Sequence, residues 1–88
     1  MKKIWDDEAW EDYLYWQTQD KKTLRRINQL LKDIERNPYE GIGKPEALKH
    51  ELQGFWSRRI DETNRLIYSI ENDRIEIFQC RTHYETTR

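Results

Sequence analysis

The spacing of apolar residues changes period halfway along this 88-residue chain. Leu24, Ile27, Leu31 and Ile34 fall at i, i+3, i+7 and i+10, with Leu30 widening the stripe. That is one face of an α-helix. From Leu48 onward the period becomes two, the signature of half-buried strands. Helices in the first half and strands in the second predict an α+β domain: two N-terminal helices packed on one face of a small antiparallel sheet. Short links between successive strands make antiparallel neighbours.

The individual elements follow from local chemistry. Lys2 to Trp5, with Ile4 and Trp5 apolar, reads as an opening strand. Asp6-Asp7-Glu8 supplies the acidic first turn that suits a helix N-terminus. Trp10, Tyr13, Leu14 and Gln17, with Trp16 beside them, give a first helix over about residues 7–19. Asp20 can cap the second helix, and Asn37-Pro38 stops it. Strands are expected over residues 49–52, 55–60, 65–70 and 74–81, with turns at Asp61-Glu62-Thr63-Asn64 and Glu71-Asn72-Asp73. If the last strand is regular to its end, Leu66, Tyr68, Ile70, Phe78 and Cys80 lie under the helices. Arg65, Arg81 and His83 then share the other face, above a floor of Ile67, Ile75 and Ile77.

Composition bounds what such a domain can do. Hydrophobic residues are 35% of the chain and mean hydropathy is −1.19, near the boundary of disorder. A net charge of −1 and eleven aromatic residues favour folding, since each aromatic buries about 150–250 Å². The core is thin for its length, so a second subunit or protein partner would help. No apolar run is long enough to cross a bilayer and no signal-like segment opens the chain, which predicts the cytoplasm. The single cysteine, Cys80, has no internal disulfide partner and sits in an apolar alternation, so it reads as a buried thiol. Two histidines 33 positions apart and no C-x-x-C or H-x-x-x-H give no metal-ligand spacing, and no cofactor is expected. Gly41-Ile42-Gly43-Lys44-Pro45 follows a helix rather than a strand and lacks the other positions of a phosphate loop. Acidic and basic residues balance in both halves. Bulk electrostatics would therefore not hold a nucleic acid, which leaves local geometry or a particle that carries the substrate. Lys21, Lys22, Arg25 and Arg26 read as a solvated helix face, or as a contact to RNA phosphates.

The second half nevertheless gathers the residue types of metal-free RNA cleavage. Glu46 follows a stiffening proline, and Lys49 and His50 come soon after. Arg58, Arg59 and Arg65 fall on adjacent strands, and His83-Tyr84 ends the set. Such cleavage needs a base for the ribose 2′-OH, a cation on the phosphoryl oxygens and an acid for the leaving 5′-oxygen. An aromatic ring can stack on the base. Each residue also has a plain structural reading. Glu46 and His50 suit a solvated surface, the arginines suit cross-strand ion pairs with Glu71 or Asp61, and His83 suits a frayed terminus.

Six stretches carry a resemblance to a known family. They are Ile4-Trp5, Trp10 to Trp16, Gly43-Lys44-Pro45-Glu46-Ala47-Leu48-Lys49, Gly54-Phe55-Trp56-Ser57-Arg58-Arg59-Ile60, Arg65-Leu66-Ile67-Tyr68 and Cys80-Arg81-Thr82-His83-Tyr84. Together they resemble the YoeB (Txe) family of bacterial toxins, within the RelE-like group, over about residues 2–84. The resemblance implies a fold like microbial ribonucleases and a ribosome-dependent, metal-independent mRNA endonuclease. Such an enzyme cleaves in the A site and leaves a 2′,3′-cyclic phosphate and a 5′-OH. It implies Glu46 as general base, Arg65 as phosphate stabiliser, His83 as general acid and Tyr84 as a stacking residue. Lys49 and Arg59 would add phosphate contacts, with His50 a further candidate. It also implies a homodimer, inhibition by a YefM-type antitoxin, and contact with DNA only through that antitoxin. Residues 1–84 form the toxin domain on this reading. Residues 85–88 extend past the histidine–tyrosine pair, with Glu85 adding a negative charge beside it. The competing readings are an inactive relative serving as an antitoxin-binding repressor partner, and a ribonuclease acting on free RNA.

Overall fold

The computed structural model describes residues 1–82. Strand β1 (Lys2–Trp5) leads into helix α1 (Asp7–Gln19) and helix α2 (Lys21–Arg36). Strands β2 (Glu46–Ala47), β3 (Trp56–Arg59), β4 (Arg65–Glu71) and β5 (Arg74–Gln79) follow. Asp7 and Glu8 occupy the first turn of α1. Asp20 caps α2 as its spacing suggests: its carboxylate accepts the Lys22 and Thr23 amides and the Thr23 hydroxyl. These bonds to Thr23 and Lys22 hold the Asp20 carboxyl below the usual carboxylate range.

The sheet runs β1-β5-β4-β3-β2. The β2 to β5 meander is antiparallel, while β1 adds to β5 in parallel as an edge. That direction is open to β1 because two helices and three strands separate it in sequence from its neighbour β5. Both helices cover one sheet face. Ile27, Leu30, Leu31 and Ile34 of α2 and Ala9 and Trp16 of α1 pack with Leu66, Tyr68, Ile75, Ile77 and Cys80. Each fully buried aliphatic side chain contributes roughly 1.5–3 kcal/mol of transfer free energy.

Two expectations from alternation fail here. Ile75 and Ile77 lie under the helices rather than on the open face, and Phe78 does not. The cause is a break in the β4–β5 register: Tyr68 pairs with Ile77 but its neighbour Ile67 pairs with Gln79. Phe78 is the extra residue of a bulge, which reverses the alternation within one strand. Ile75, Ile77 and Cys80 therefore all reach the core, while the Phe78 ring meets Phe55 with centroids 5.3 Å apart. Pairing also ends at Gln79, not at residue 81. The expected strand at residues 49–52 is absent as well. The chain pairs only at Glu46–Ala47, then makes one tight turn at His50–Leu52. His50 takes a left-handed φ of 59° there, which a strand does not allow.

Arg58 is the unforeseen centre of the fold. It is fully buried on the helix side of β3, not an exposed strand arginine. All five of its guanidinium hydrogens have acceptors: the Tyr68 hydroxyl at 3.2 Å, the Asp33 carboxylate, and the carbonyls of Ile42 (3.0 Å), Asn37 and Glu40 (2.8 Å). The Tyr68 hydroxyl in turn donates to the Pro38 carbonyl at 2.7 Å. The loop from α2 to β2 is thus wrapped around one side chain. Gly41 and Gly43 let it close. A Cβ at Gly41 would stand 2.0 Å from the Asp33 carboxylate, and one at Gly43 would stand 2.8 Å from Leu30. Both glycines have positive φ, at 122° and 81°.

Removing the buried guanidinium strips five acceptors of their donor, and with about 1–3 kcal/mol for each acceptor left unsatisfied out of water the loss is on the order of 3–5 kcal/mol. Arg58→Ala should therefore lose about that much in urea unfolding, and Arg58→Lys should not restore it, since an ammonium cannot fill five positions. The Arg58 guanidinium, with the Ile42 amide, also holds the Asp33 carboxyl below the usual carboxylate range. Its folded-state value lies below its unfolded one. Its contribution is therefore complete above the ordinary carboxylate range and fades as pH falls through the depressed value. Unfolding midpoints followed from neutral pH into acid should show that loss, and it should shrink in Asp33→Asn.

Candidate active site on the open sheet face

The face turned away from the helices is fixed by cross-strand register. Glu46 on β2 pairs with Ser57 on β3, Ser57 with Ile67 on β4, and Ile67 with Gln79 on β5. Residues paired in this way share a face. Ser57, Ile67 and Gln79 are all buried and form its floor. Two residues along β3 from Ser57 lies Arg59, which pairs directly with Arg65. The same face therefore carries Glu46, Arg59 and Arg65. Strands lie about 4.8 Å apart and residues rise about 3.3 Å along each, so Glu46 and Arg65, two strands across and two residues along, originate about 12 Å from each other.

Two arginines directly opposite each other repel. Among the described residues, no carboxylate lies within ion-pair distance of either one. Arg65 is instead steered by carbonyls: its guanidinium donates to Asp61 (2.8 Å) and Asn64 (3.2 Å). Two facing arginines with no carboxylate in ion-pair contact among the described residues are a local conflict of the kind that marks ligand sites, and an anion such as a phosphodiester would resolve it.

The loop of residues 60–65 builds this corner. The Asp61 carboxylate accepts the Thr63 and Asn64 amides, at 2.8 and 2.6 Å, and the Asn64 side-chain amide. Partial burial pushes the Asp61 carboxyl up, but these bonds outweigh it and hold the group low. Thr82 is brought to the same place, since the Arg65 amide donates to the Thr82 carbonyl at 3.2 Å.

Helix α1 holds the residues just before Thr82. The Asp12 carboxylate accepts the Cys80 amide at 3.1 Å, and the Trp16 indole donates to the Cys80 carbonyl at 2.9 Å. The Arg81 guanidinium lies 3.5 Å over the Tyr15 ring, a cation–π contact. Burial raises the Asp12 carboxyl above its ordinary range, a shift the Cys80 amide and Arg81 reduce. Burial also pushes the Cys80 thiol far up, which suits an inert core residue.

The structure thus brings together Glu46, Arg59 and Arg65. Lys49 and His50 are exposed in the connection after β2, and no hydrogen bond or ion pair links them to those three among the described residues. His83 and Tyr84 lie outside the described residues. Asp12, Tyr15, Trp16, Asp61 and Asn64 support the site without having been singled out for it. The Asp61–Asn64 stretch is legible as a turn, but its link to Thr82 spans 18 positions and leaves no local sign. Among the described residues, no cluster of three or more His, Cys, Asp or Glu side chains is close enough to hold a metal ion. No helix there is long and apolar enough to cross a membrane.

Comparison with known proteins agrees with this architecture. A family model described as the YoeB-like toxin of bacterial type II toxin–antitoxin systems matches residues 5–84. The chain is 57% identical over 84 residues to toxin YoeB of Escherichia coli strain K12, covering 96% of this chain and all of that one. A YoeB/ParE toxin from Agrobacterium tumefaciens superposes with a TM-score of 0.93 at 42% identity, covering 96% of this chain and all of the other. The YoeB toxin of Staphylococcus aureus superposes with a TM-score of 0.90 at 47% identity, covering 96% and 98% of the two chains. It has been solved both in a heterotetrameric YoeB–YefM complex and as a YoeB dimer. With a full-domain family match and relatives this similar across nearly its whole length, the chain belongs to the YoeB-like family of type II toxin–antitoxin toxins.

Proposed function

We propose that this protein is the toxin of a type II pair and acts as a ribosome-dependent, metal-independent mRNA endonuclease. The observation that carries the proposal is the shared open face of Glu46, Arg59 and Arg65, with two opposed arginines lacking a carboxylate among the described residues. Glu46, exposed on the edge strand, takes the proton from a ribose 2′-OH. The 2′-oxygen attacks the adjacent phosphorus, and Arg65 stabilises the charge that builds on the phosphoryl oxygens. Arg59 adds a phosphate contact, and Lys49 and His50 extend the binding surface along the same edge. His83 protonates the leaving 5′-oxygen and Tyr84 stacks on a base. The products are a 2′,3′-cyclic phosphate and a 5′-OH.

The balanced charge of the chain fits this reading. A message already held by the ribosome arrives at high effective concentration, so a strongly basic protein is not required. The YoeB–YefM complex and YoeB dimer of the S. aureus relative support a YefM-type antitoxin and a homodimeric toxin here. Exposed Ile4, Trp10, Leu14 and Tyr15 are apolar surface that such partners would cover. The ribosome and its message are substrates in the cytoplasm.

Incubation with programmed ribosomes, followed by mapping of new 5′ ends on the message, tests the proposal. Codon-phased cleavage is expected from the wild type. Glu46→Ala and Arg65→Ala should each lower the rate by about 10²-fold or more. An intact message with wild type, or full activity in both variants, would contradict it.

A further inference from the structure

We infer that Asn64 is a positioning residue that locks the phosphate-binding arginine and the chain entering the C-terminal catalytic segment into one unit. This rests on the reading of Arg65 and His83 given above. Asn64 has no place in the chemistry itself. Its importance lies in what it joins.

The Asn64 amide is used at both ends. Its Nδ2 donates to both Asp61 carboxylate oxygens, at 3.2 and 3.0 Å. Its Oδ1 accepts the Thr82 amide, 18 positions away. A side-chain amide has one donating and one accepting end, and here the two partners demand opposite ends, so its orientation is fixed. The backbone of Asn64 is equally engaged. Its carbonyl accepts the Ile60 amide at 3.0 Å and the Arg65 guanidinium at 3.2 Å. The next residue, Arg65, closes the ring by donating its amide to the Thr82 carbonyl. Both peptide groups of Thr82 are thereby addressed by two adjacent residues of one turn.

Thr82 needs such support. Its φ is +61°, the left-handed region, which disfavours a β-branched side chain. A residue persists there when its surroundings over-determine it, and such strain concentrates at functional sites. The contacts from α1 act on Cys80 and Arg81, one step earlier in the chain. The turn contacts act on Thr82 itself, immediately before His83. A solvent-facing turn needs none of this: Asp61 alone satisfies the Thr63 and Asn64 amides.

The test uses the full chain, programmed ribosomes and three variants. Asn64→Leu removes the donor and the acceptor at similar volume. Misplacement of about 1 Å can cost about 10²-fold in rate, so kcat for message cleavage should fall by about 10- to 100-fold with KM for the programmed ribosome unchanged. Asn64→Asp keeps an acceptor for Thr82 but sets two carboxylates against each other, and should be impaired. Combining it with Asp61→Asn restores one donor between the two positions and leaves an acceptor for Thr82. The double variant should return kcat to within about threefold of wild type, which loss of a generic turn contact does not predict. Full activity in Asn64→Leu, a defect confined to KM, or a double variant no better than Asn64→Asp would overturn the inference. Amide hydrogen exchange separates this from failure of the enzymatic reading. Exchange at Thr82 and Arg65 should accelerate at least tenfold in Asn64→Leu while Tyr68 is unchanged. Unchanged exchange at Thr82 refutes the tie whatever the activity. A wild type that leaves the message intact refutes the enzymatic reading, and with it the catalytic half of the inference.

Discussion

The buried guanidinium of Arg58 is the contact on which the rest of the structure depends. A charge taken out of water costs several kcal/mol unless it is fully paired. Here five acceptors drawn from α2, the following loop and β4 compensate it. The loop of residues 37–43 has few apolar side chains of its own, so its backbone carbonyls converge on the cation in place of a core. Its end is then tied to the sheet, as the Arg59 amide donates to the Gly43 carbonyl at 2.6 Å. Three residues later Glu46 begins the edge strand. The ionic centre on one face of the sheet thus sets where the carboxylate of the other face stands.

Strand β3 divides the labour between two adjacent arginines. Arg58 points to the helices and is structural, while Arg59 points away and meets Arg65. The alternation of a strand makes this separation automatic. It also lets a small domain hold a repulsive cation pair on one side, because the opposite side is anchored by a fully satisfied one. The second anchor is the Asp61–Asn64 turn. It steers the Arg65 guanidinium and holds Thr82, so residues from two distant stretches share one corner.

How much of this could be read from the sequence follows from how local each cause is. The α2 stripe and the Asp20 cap involve neighbours within one or two turns, and both are legible. The open-face membership of Arg65 follows from strand parity, which survives through β4, and register with β4 adds Arg59 to it. Parity fails in β5 because the Phe78 bulge depends on how two strands fit together, and nothing in Arg74 to Cys80 announces it. The pairing of Lys49 to Leu52 fails because a left-handed His50 breaks the strand. Alternation puts Arg58 and Arg59 on opposite faces, but which of the two is buried depends on distant partners such as Asp33, 25 residues earlier. The glycine loop makes room for the buried Arg58 guanidinium and the Asp33 carboxylate that pairs with it, a use that needs the fold to be seen. Lys49 and His50 stand in an exposed connection, without hydrogen bonds or ion pairs to Glu46, Arg59 or Arg65 among the described residues.

The central claim is that this face directs a 2′-oxygen onto the neighbouring phosphorus. The termini it leaves on a message cleaved on the ribosome report that directly. A 5′-hydroxyl on the downstream fragment and a 2′,3′-cyclic phosphate on the upstream one, both seen by mass spectrometry, are the predicted result. A 5′-phosphate opposite a free 3′-hydroxyl would mean that water, not the ribose, was the nucleophile, and would contradict it.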